Sequence, residues 1–299
     1  MSSLKKTLIA VVGPNASGKT SLAIKLAKKY NGEIISADSR QVYRGLNIGT
    51  GKATKKEQRQ VRHHLLDVVP PNREFNVSHY KKLAPTAINK IQNKNKIPFL
   101  VGGTGFWIQA IIDDADFPPV RPNKKLRQKL GRMPIKNLYA LLKKIDPIRA
   151  ANIDRNNPYR LIRAIEIVRA TKRPIPALIK KSPFNSLILG IKQPKKILYQ
   201  RIDLRLKKRF RQGMINEVKK LIAQGISGQR LYDLGLEYRY ISLYLKKKLT
   251  RQEMEIQLKH AIHHYAKRQL TWFKRDRRIH WIKNQKQANK LIKKFLIID

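Results

Sequence analysis

The sequence predicts an α/β protein: a parallel sheet flanked by helices, P-loop NTPase-like in plan, that carries an all-helical insertion. Three observations predict it. A phosphate-loop signature lies between a strand signal and a helix signal; strand and helix signals alternate through the first hundred residues; and from about 115 to 185 only helix signals occur. Alternation of this kind builds a parallel sheet covered on both faces.

In chain order, Thr7 to Val12 reads as a buried strand, and Ser17 to Lys29 as a helix with Leu22, Leu26 and Lys29 near one face. Glu33 to Ala37 is a second strand ending at Asp38, Asn76 to Asn93 is helical, and Ile97 to Val101 is a third strand that runs into Gly102-Gly103-Thr104-Gly105. In open parallel sheets ligands sit beyond the carboxyl ends of the strands. The phosphate loop, Asp38 and the Gly-Gly-Thr turn all follow strand ends, so they should converge.

Composition shifts near Asp113, and a Pro-marked stretch from Phe117 to Pro122 opens the helical segment. Asn157 before Pro158 is a helix start, an N-cap followed by proline at the first position. The helix from Tyr159 to Thr171 is expected to turn Leu161, Ile162, Ile165 and Val168 inward, leaving Arg160 and Arg163 elsewhere; Pro174, Pro176 and Pro183 close the region. Leu187 to Ile191 returns as a strand. Leu198, Ile202, Leu206 and Phe210 then repeat every fourth residue as a buried stripe, with Arg201, Arg205 and Arg209 in a row one position earlier. Thr250 to Glu253 is a capping box opening a helix that reaches about Arg275. The domain plan is therefore a core of residues 1–114 and 186–299 interrupted by an insertion at 115–185.

Sixty-six Lys and Arg stand against nineteen Asp and Glu, giving +47 and a sequence pI near 10.8. The positive residues run through the whole chain, so every domain should be basic, and nucleic acid is the first partner to consider. The chain has no cysteine, which excludes disulfides, Cys-based zinc sites and thiol catalysis and suits a reducing compartment. Lys5-Lys6 followed by Leu8 to Val12 has the look of a signal peptide, yet the apolar run is short and leads straight into the phosphate loop. No apolar run approaches the ~20 residues that span a bilayer, so a soluble, cytoplasmic protein is expected.

Gly13-Pro14-Asn15-Ala16-Ser17-Gly18-Lys19-Thr20 matches G-x-x-x-x-G-K-[ST]. Its backbone N–H groups can wrap a phosphate at a helix N-terminus, Lys19 adds a point charge and the Thr20 hydroxyl can hold Mg²⁺. Asp38 is either a metal-side carboxylate or a general base, and Asp67, after His64-Leu65-Leu66, is an alternative for the first role. Spacing does not separate these.

Several stretches resemble the tRNA dimethylallyltransferase family, also called tRNA isopentenyltransferases, of bacterial type. They are the phosphate loop; Ile35 to Lys52, with Asp38, Ser39, Arg40, Gln41 and Tyr43; His63 to Val68; Val101 to Ala110; Pro158 to Glu166; and Tyr265 to Phe273, with Lys267, Arg268, Gln269 and Trp272. They follow the family's order and run from about residue 7 to 282. The resemblance implies transfer of a dimethylallyl group from dimethylallyl diphosphate to N6 of adenosine 37 in the tRNA anticodon stem-loop, with Mg²⁺. By it, Gly13, Asn15, Ala16, Ser17, Gly18, Lys19 and Thr20 hold the diphosphate, Thr20 the metal, and Asp38 is the base, with Lys19, Thr104 and Arg205 also catalytic. Arg201 stands close behind Arg205 as a second clamp. Asp38, Ser39, Arg40, Gln41, Thr104, Arg127, Tyr159, Arg160, Leu161, Ile162, Arg163 and Arg239 fall where the family touches tRNA. The chain departs from the family's Gly-Tyr-Lys-Glu turn at Leu234 to Arg239, which carries two added residues. A monomer without membrane attachment is implied.

Other features read more plainly. His260, His263 and His264 sit at helical spacing without a carboxylate in a ligand pattern, so they are exposed or RNA-facing; His63-His64 is ambiguous, with a place beside the site the lesser of its readings. Trp107, Trp272 and Trp281 belong to the core, and Lys207-Lys208-Arg209 and Lys246 to Lys248 are solvated helix faces. Two other activities compete: prenylation of free AMP or ATP, and a P-loop nucleotide kinase or RNA-stimulated ATPase.

Overall fold

The computed structural model describes residues 7–176 and 182–297; Lys5 and Lys6 lie outside the described residues. Strand β1 (Thr7–Val12) is buried at every position and leads through the phosphate loop into α1 (Lys19–Lys29). There follow β2 (Gly32–Ser36), α2 (Lys55–Gln60), β3 (His63–His64), α3 (Val77–Gln92), β4 (Ile97–Gly102) and α4 (Gly105–Ile112). Helices α5 (Lys124–Gly131), α6 (Ile135–Ile145), α7 (Pro147–Ala151) and α8 (Pro158–Thr171) form the insertion. The chain then returns as β5 (Asn185–Ile191), α9 (Lys195–Arg211), α10 (Met214–Ala223), α11 (Gly228–Leu234), α12 (Leu236–Leu245), α13 (Arg251–Phe273), β6 (Ile279–Ile282) and α14 (Gln285–Ile297).

The six strands form one parallel sheet in the order β3-β2-β4-β1-β5-β6. Because side chains alternate across a strand, β1 feeds both faces. Leu8, Ala10 and Val12 join the cluster under α3, α4, α9 and α13, whereas Ile9 and Val11 join the one under α1 and α14. Burial on both faces explains why β1 reads as a continuous apolar run. The sheet has two strands the periodicity did not show. β3 is only two residues long, and β6 is a four-residue edge strand containing Trp281. Asn185, expected to close the insertion, instead opens β5 opposite Thr7.

Two details of helix packing differ from expectation. α1 starts at Lys19 and buries Ala23, Ile24, Leu26 and Ala27, with Lys29 exposed, because the small alanines allow the helix to lie closer to the sheet than a Leu22–Lys29 face would. In α9 the buried stripe ends at Leu206; Phe210 is half-covered, with the Arg251 guanidinium 4.7 Å over its ring. The long α13 begins with the capping box at Thr250 and Glu253.

The chain divides into two compact units, Met1–Asp114 with Ser182–Asp299, and Ala115–Lys181. The second has its own core of Leu130, Leu138, Leu142, Ala150, Leu161, Ala164 and Ile165. Asn157 caps α8 by accepting from Arg160 N at 3.2 Å, with Pro158 at the first position. Its one fully buried carboxylate in α8, Glu166, accepts from Arg127 Nε (2.9 Å) and Nη2 (2.7 Å), Arg163 Nη1 (2.5 Å) and Asn123 N (2.6 Å). Burial alone would raise its pKa, but these donors bring it down to about 2.

The carboxylate is thus held charged by folding. Its stabilising contribution is complete above the unfolded carboxyl value, near pH ~4.3, and is lost as pH falls toward 2. Glu166→Gln should lower the unfolding free energy by about 2 kcal/mol at pH 7, and the difference from wild type should shrink between pH ~5 and ~3. Chemical denaturation across that range checks both.

Candidate active site

The phosphate loop is held open from both sides. Gly18 takes φ 93° as the N-cap of α1, a left-handed conformation that glycine adopts without strain. Gln269 on α13 bridges two strand-end loops: its Oε1 accepts from Asn15 N at 2.9 Å and its Nε2 donates to Gly103 O at 2.8 Å. The Lys19 ammonium donates to Pro14 O at 3.2 Å across the loop. Ser17 Oγ is buried with no hydrogen-bond partner, which leaves a donor for an anion in the loop.

Opposite the loop, Arg205 and Arg209 of α9 line a small cavity with Asn15, Ala16, Ile202, Leu206 and Ile262. Each guanidinium is anchored on a carbonyl of a glycine-rich loop, Arg205 Nη2 on Gly51 O at 3.2 Å and Arg209 Nη1 on Gly49 O at 3.0 Å. Gly51, at φ 59°, lies flat against both, and a Cβ there would collide with them. Arg209 also pairs with the buried Glu237 at 2.9 Å. Burial, then the neighbouring Arg209, lowers the Arg205 pKa to about 10. Burial first, and then Arg205 and Arg209 against the opposing pull of Asp38, lowers that of Lys19 to about 8. Burial raises the pKa of Glu237 despite Arg209. Three cations crowded with too few anions make a site that gains by taking up a multivalent anion.

Asp38 follows β2 on the same side of the sheet. Its Oδ1 accepts from Arg40 N at 2.9 Å, which fixes the carboxylate beside the turn. Thr104 Oγ1 accepts from Ser39 N at 3.1 Å and donates to Ser39 Oγ at 3.5 Å, joining the Gly-Gly-Thr turn to that segment. Gln41 accepts from Ser36 Oγ at 3.1 Å and reaches Gly51 O at 3.4 Å. Tyr265 of α13 feels the same charge: burial, then Asp38, pushes its pKa up to about 12. The phosphate loop, Asp38, Thr104 and the arginines therefore meet at one end of the sheet, as strand order requires.

Other predicted residues have other neighbours. Arg201 is exposed and absent from the cavity, whereas Arg209, read from sequence as a solvated face, is part of it. The helix turns by 100° per residue, so members of the row at every fourth position drift away from one side, and only Arg205 and Arg209 reach the loop. Asp67 is paired with Lys52 at 2.5 Å, so it balances a buried lysine instead of standing at the site. In the insertion Tyr159 and Arg160 are exposed and Ile162 is half-buried, but Leu161 is fully buried in that unit's core, so its side chain is unavailable to RNA. Arg127 and Arg163 are both engaged by Glu166. Arg239 stacks on Tyr232, its guanidinium 4.2 Å from the ring. His263 does have a carboxylate partner, Asp203 at 2.8 Å, and stacks on Tyr199. His64 binds Glu33 at 2.7 Å, at the β2–β3 edge. Gln269, Glu237 and Arg209 are the site residues that sequence reading missed. Gln269 had a signal in the Tyr265 to Phe273 block that carries the family resemblance; the other two had none separable from solvated helix faces.

Comparison with known proteins agrees with this geometry. The family described as IPP transferase matches residues 41–276. A tRNA dimethylallyltransferase from Roseiflexus sp. (strain RS-1) is 41% identical over 274 residues, 90% of each chain, and tRNA dimethylallyltransferase 2 of Shewanella sediminis is 42% identical over 280 residues, 92% of each. Among solved structures, the tRNA isopentenylpyrophosphate transferase of Bacillus halodurans superposes with a TM-score of 0.72 at 36% identity, over 98% of this chain and 95% of that one. A eukaryotic dimethylallyltransferase acting on tRNA gives a TM-score of 0.73 at 26% identity, over 89% of this chain and 69% of that one. The chain belongs to the IPP transferase family.

Lys19 is charged below its lowered pKa of about 8 and loses its proton above it. The affinity for inorganic pyrophosphate should therefore hold near pH 7 and fall by up to about tenfold per unit above pH ~8. Isothermal titration across pH ~6.5–9.5 checks this, and Lys19→Met should remove the Lys19-dependent limb.

Proposed function

We infer that this member of the IPP transferase family transfers a dimethylallyl group from dimethylallyl diphosphate to N6 of adenosine 37 in tRNA, releasing pyrophosphate. The observation that carries the reading is the placement of a carboxylate, Asp38, beside a phosphate loop whose Lys19 is also faced by Arg205 and Arg209. A diphosphate leaving group needs fixed positive charge where its bond to carbon breaks, and a weakly nucleophilic amine needs a proton acceptor.

In this reading the N–H groups from Ala16 to Gly18, with Lys19, Arg205 and Arg209, hold the diphosphate, while the Asn15 N–H is taken by Gln269 Oε1. The bond between the allylic carbon and the diphosphate oxygen breaks with its electron pair on oxygen, where the three cations stabilise it. The new bond joins that carbon to N6, and the N6 proton passes to Asp38. The contacts of Asp38 with Arg40 N and of Thr104 with Ser39 keep the acceptor side rigid. An adenine flipped out of the anticodon loop would meet Ser39, Gln41 and Thr104 there.

Magnesium fits the donors present. Thr20, in the first turn of α1, offers one hydroxyl, and among the described residues no three His, Cys, Asp or Glu gather as a metal site. That set suits Mg²⁺, which keeps waters and takes further ligands from substrate phosphates. When bound it would supply charge neutralisation to the departing diphosphate.

The RNA side rests on charge and exposure. Tyr159 and Arg160 stand free of the insertion's core at the start of α8, and the net charge of +47 draws a polyanion generally. Arg127, Arg163 and Arg239 would reach phosphates only from their present partners, so they organise the surface as well as charge it. Among the described residues no helix is long and apolar enough to cross a membrane; the reading keeps a cytoplasmic monomer.

Incubation with dimethylallyl diphosphate, Mg²⁺ and unmodified tRNA should yield prenylated adenosine in the digested RNA. Transfer to AMP without tRNA, or release of ADP from ATP unaffected by the isoprenoid, would replace the reading with a nucleotide prenyltransferase or a kinase. Asp38→Asn should cut turnover by about 10²- to 10⁴-fold while the tRNA dissociation constant stays within about twofold of wild type, as measured by filter binding at fixed salt.

A further inference from the structure

The glycine-rich loop that anchors the two arginines is itself held from outside the site. Glu217 lies on α10 and is not among the residues lining the cavity by the phosphate loop. Its Oε2 accepts from Asn47 N at 2.9 Å and Ile48 N at 2.7 Å, and its Oε1 from Gly49 N at 3.0 Å and the Tyr238 hydroxyl at 2.9 Å. Three successive backbone N–H groups converging on one carboxylate form an anion nest. Beyond the nest, the same loop turns Gly49 O to Arg209 and Gly51 O to Arg205.

We infer that Glu217 is a positioning residue for diphosphate binding: it sets the Asn47–Gly51 loop, whose carbonyls aim Arg205 and Arg209 at the phosphate loop. The inference rests on the assignment of those arginines to the diphosphate. The two guanidiniums repel each other, and on this side each is anchored by one carbonyl of a loop with little regular structure of its own, Glu237 being a further partner of Arg209 alone. Without a fixed loop, each long side chain would have several rotamers in which it avoids the other. Glu217 removes that freedom because both of its oxygens are used twice. Tyr238 reinforces the arrangement: its ring and hydroxyl lie against Gly49, where a Cβ would collide with them.

The doubling of acceptors makes the test sharp. In Glu217→Gln the amide nitrogen must face two donors whichever way the group is turned, so one side of the nest opens. Glu217→Asp keeps both acceptors on a shorter stem. For Glu217→Gln we expect the pyrophosphate dissociation constant and kcat/KM for dimethylallyl diphosphate to worsen together by about tenfold, with tRNA affinity unchanged and partial recovery in Glu217→Asp. A residue acting through the arginines has no effect once they are gone. In an Arg205→Ala, Arg209→Ala background, Glu217→Gln should therefore change pyrophosphate affinity by less than about twofold. Unchanged pyrophosphate affinity in the single variant, or a full additional loss in the arginine-free background, would overturn the inference.

If Glu217→Gln does not fold, Tyr238→Phe carries the same test with one donor removed. It should weaken pyrophosphate binding by about two- to threefold, and only while the arginines are present; no change would overturn the inference equally. Titration of pyrophosphate reads the clamp without any transfer reaction. A protein that binds pyrophosphate in a Glu217-dependent way yet prenylates no tRNA would sink the functional reading and leave this inference standing.

Discussion

Mutual repulsion among half-buried cations is the constraint around which the core is arranged. Arg205 and Arg209 line one cavity and act electrostatically on Lys19; burial and the neighbouring cations lower the pKa of Lys19 to about 8 and of Arg205 to about 10. Such a cluster is held in place only by anions and carbonyls supplied at fixed positions. Glu237 and Asp38 supply part of the countercharge, Gly49 and Gly51 supply carbonyls, and Glu217 fixes the loop those carbonyls belong to. The residual positive charge is what a diphosphate would neutralise. In the proposed function, preference for a small multivalent anion follows from this imbalance of charge.

The sheet makes this arrangement possible by bringing distant segments to one edge. β1, β2 and β4 are neighbours in the parallel sheet, so the phosphate loop, Asp38 and the Thr104 turn emerge side by side. Gln269 locks two of those loops together from a helix some 250 residues away in sequence, bonding Asn15 N and Gly103 O. Its hydrogen bonds hold the two loops in a fixed relation, which favours preorganised charge over induced closure.

The insertion handles charge differently. One buried carboxylate, Glu166, gathers Arg127, Arg163 and the Asn123 N–H, and the cations that are not gathered, such as Arg160, remain at its surface. Two of the arginines expected to meet RNA are thereby also structural. In a chain with +47, acidic residues are few, and of those at buried positions Glu33 and Glu166 each serve two or more cations, Glu237 pairs with Arg209 and Asp113 with Arg278, while Asp146 caps α7.

Short-range pattern alone determined much of this protein. The phosphate loop, the strand runs of β1, β2, β4 and β5, the caps at Asn157 and Thr250, and the placement of Lys19 and Asp38 at strand ends were all legible, because each depends on neighbours within a few positions. The two-residue β3 and the edge strand β6 were not, since so few residues carry no period. The choice of Arg209 over Arg201, the burial of Leu161, the capture of Arg127 and Arg163 by Glu166, and the work of Gln269, Glu217 and Glu237 were decided only by tertiary structure. A basic or acidic side chain on a helix looks the same in sequence whether it faces water or a partner 150 residues away. Which it faces is settled by helix rotation and by the packing of the whole chain around the sheet.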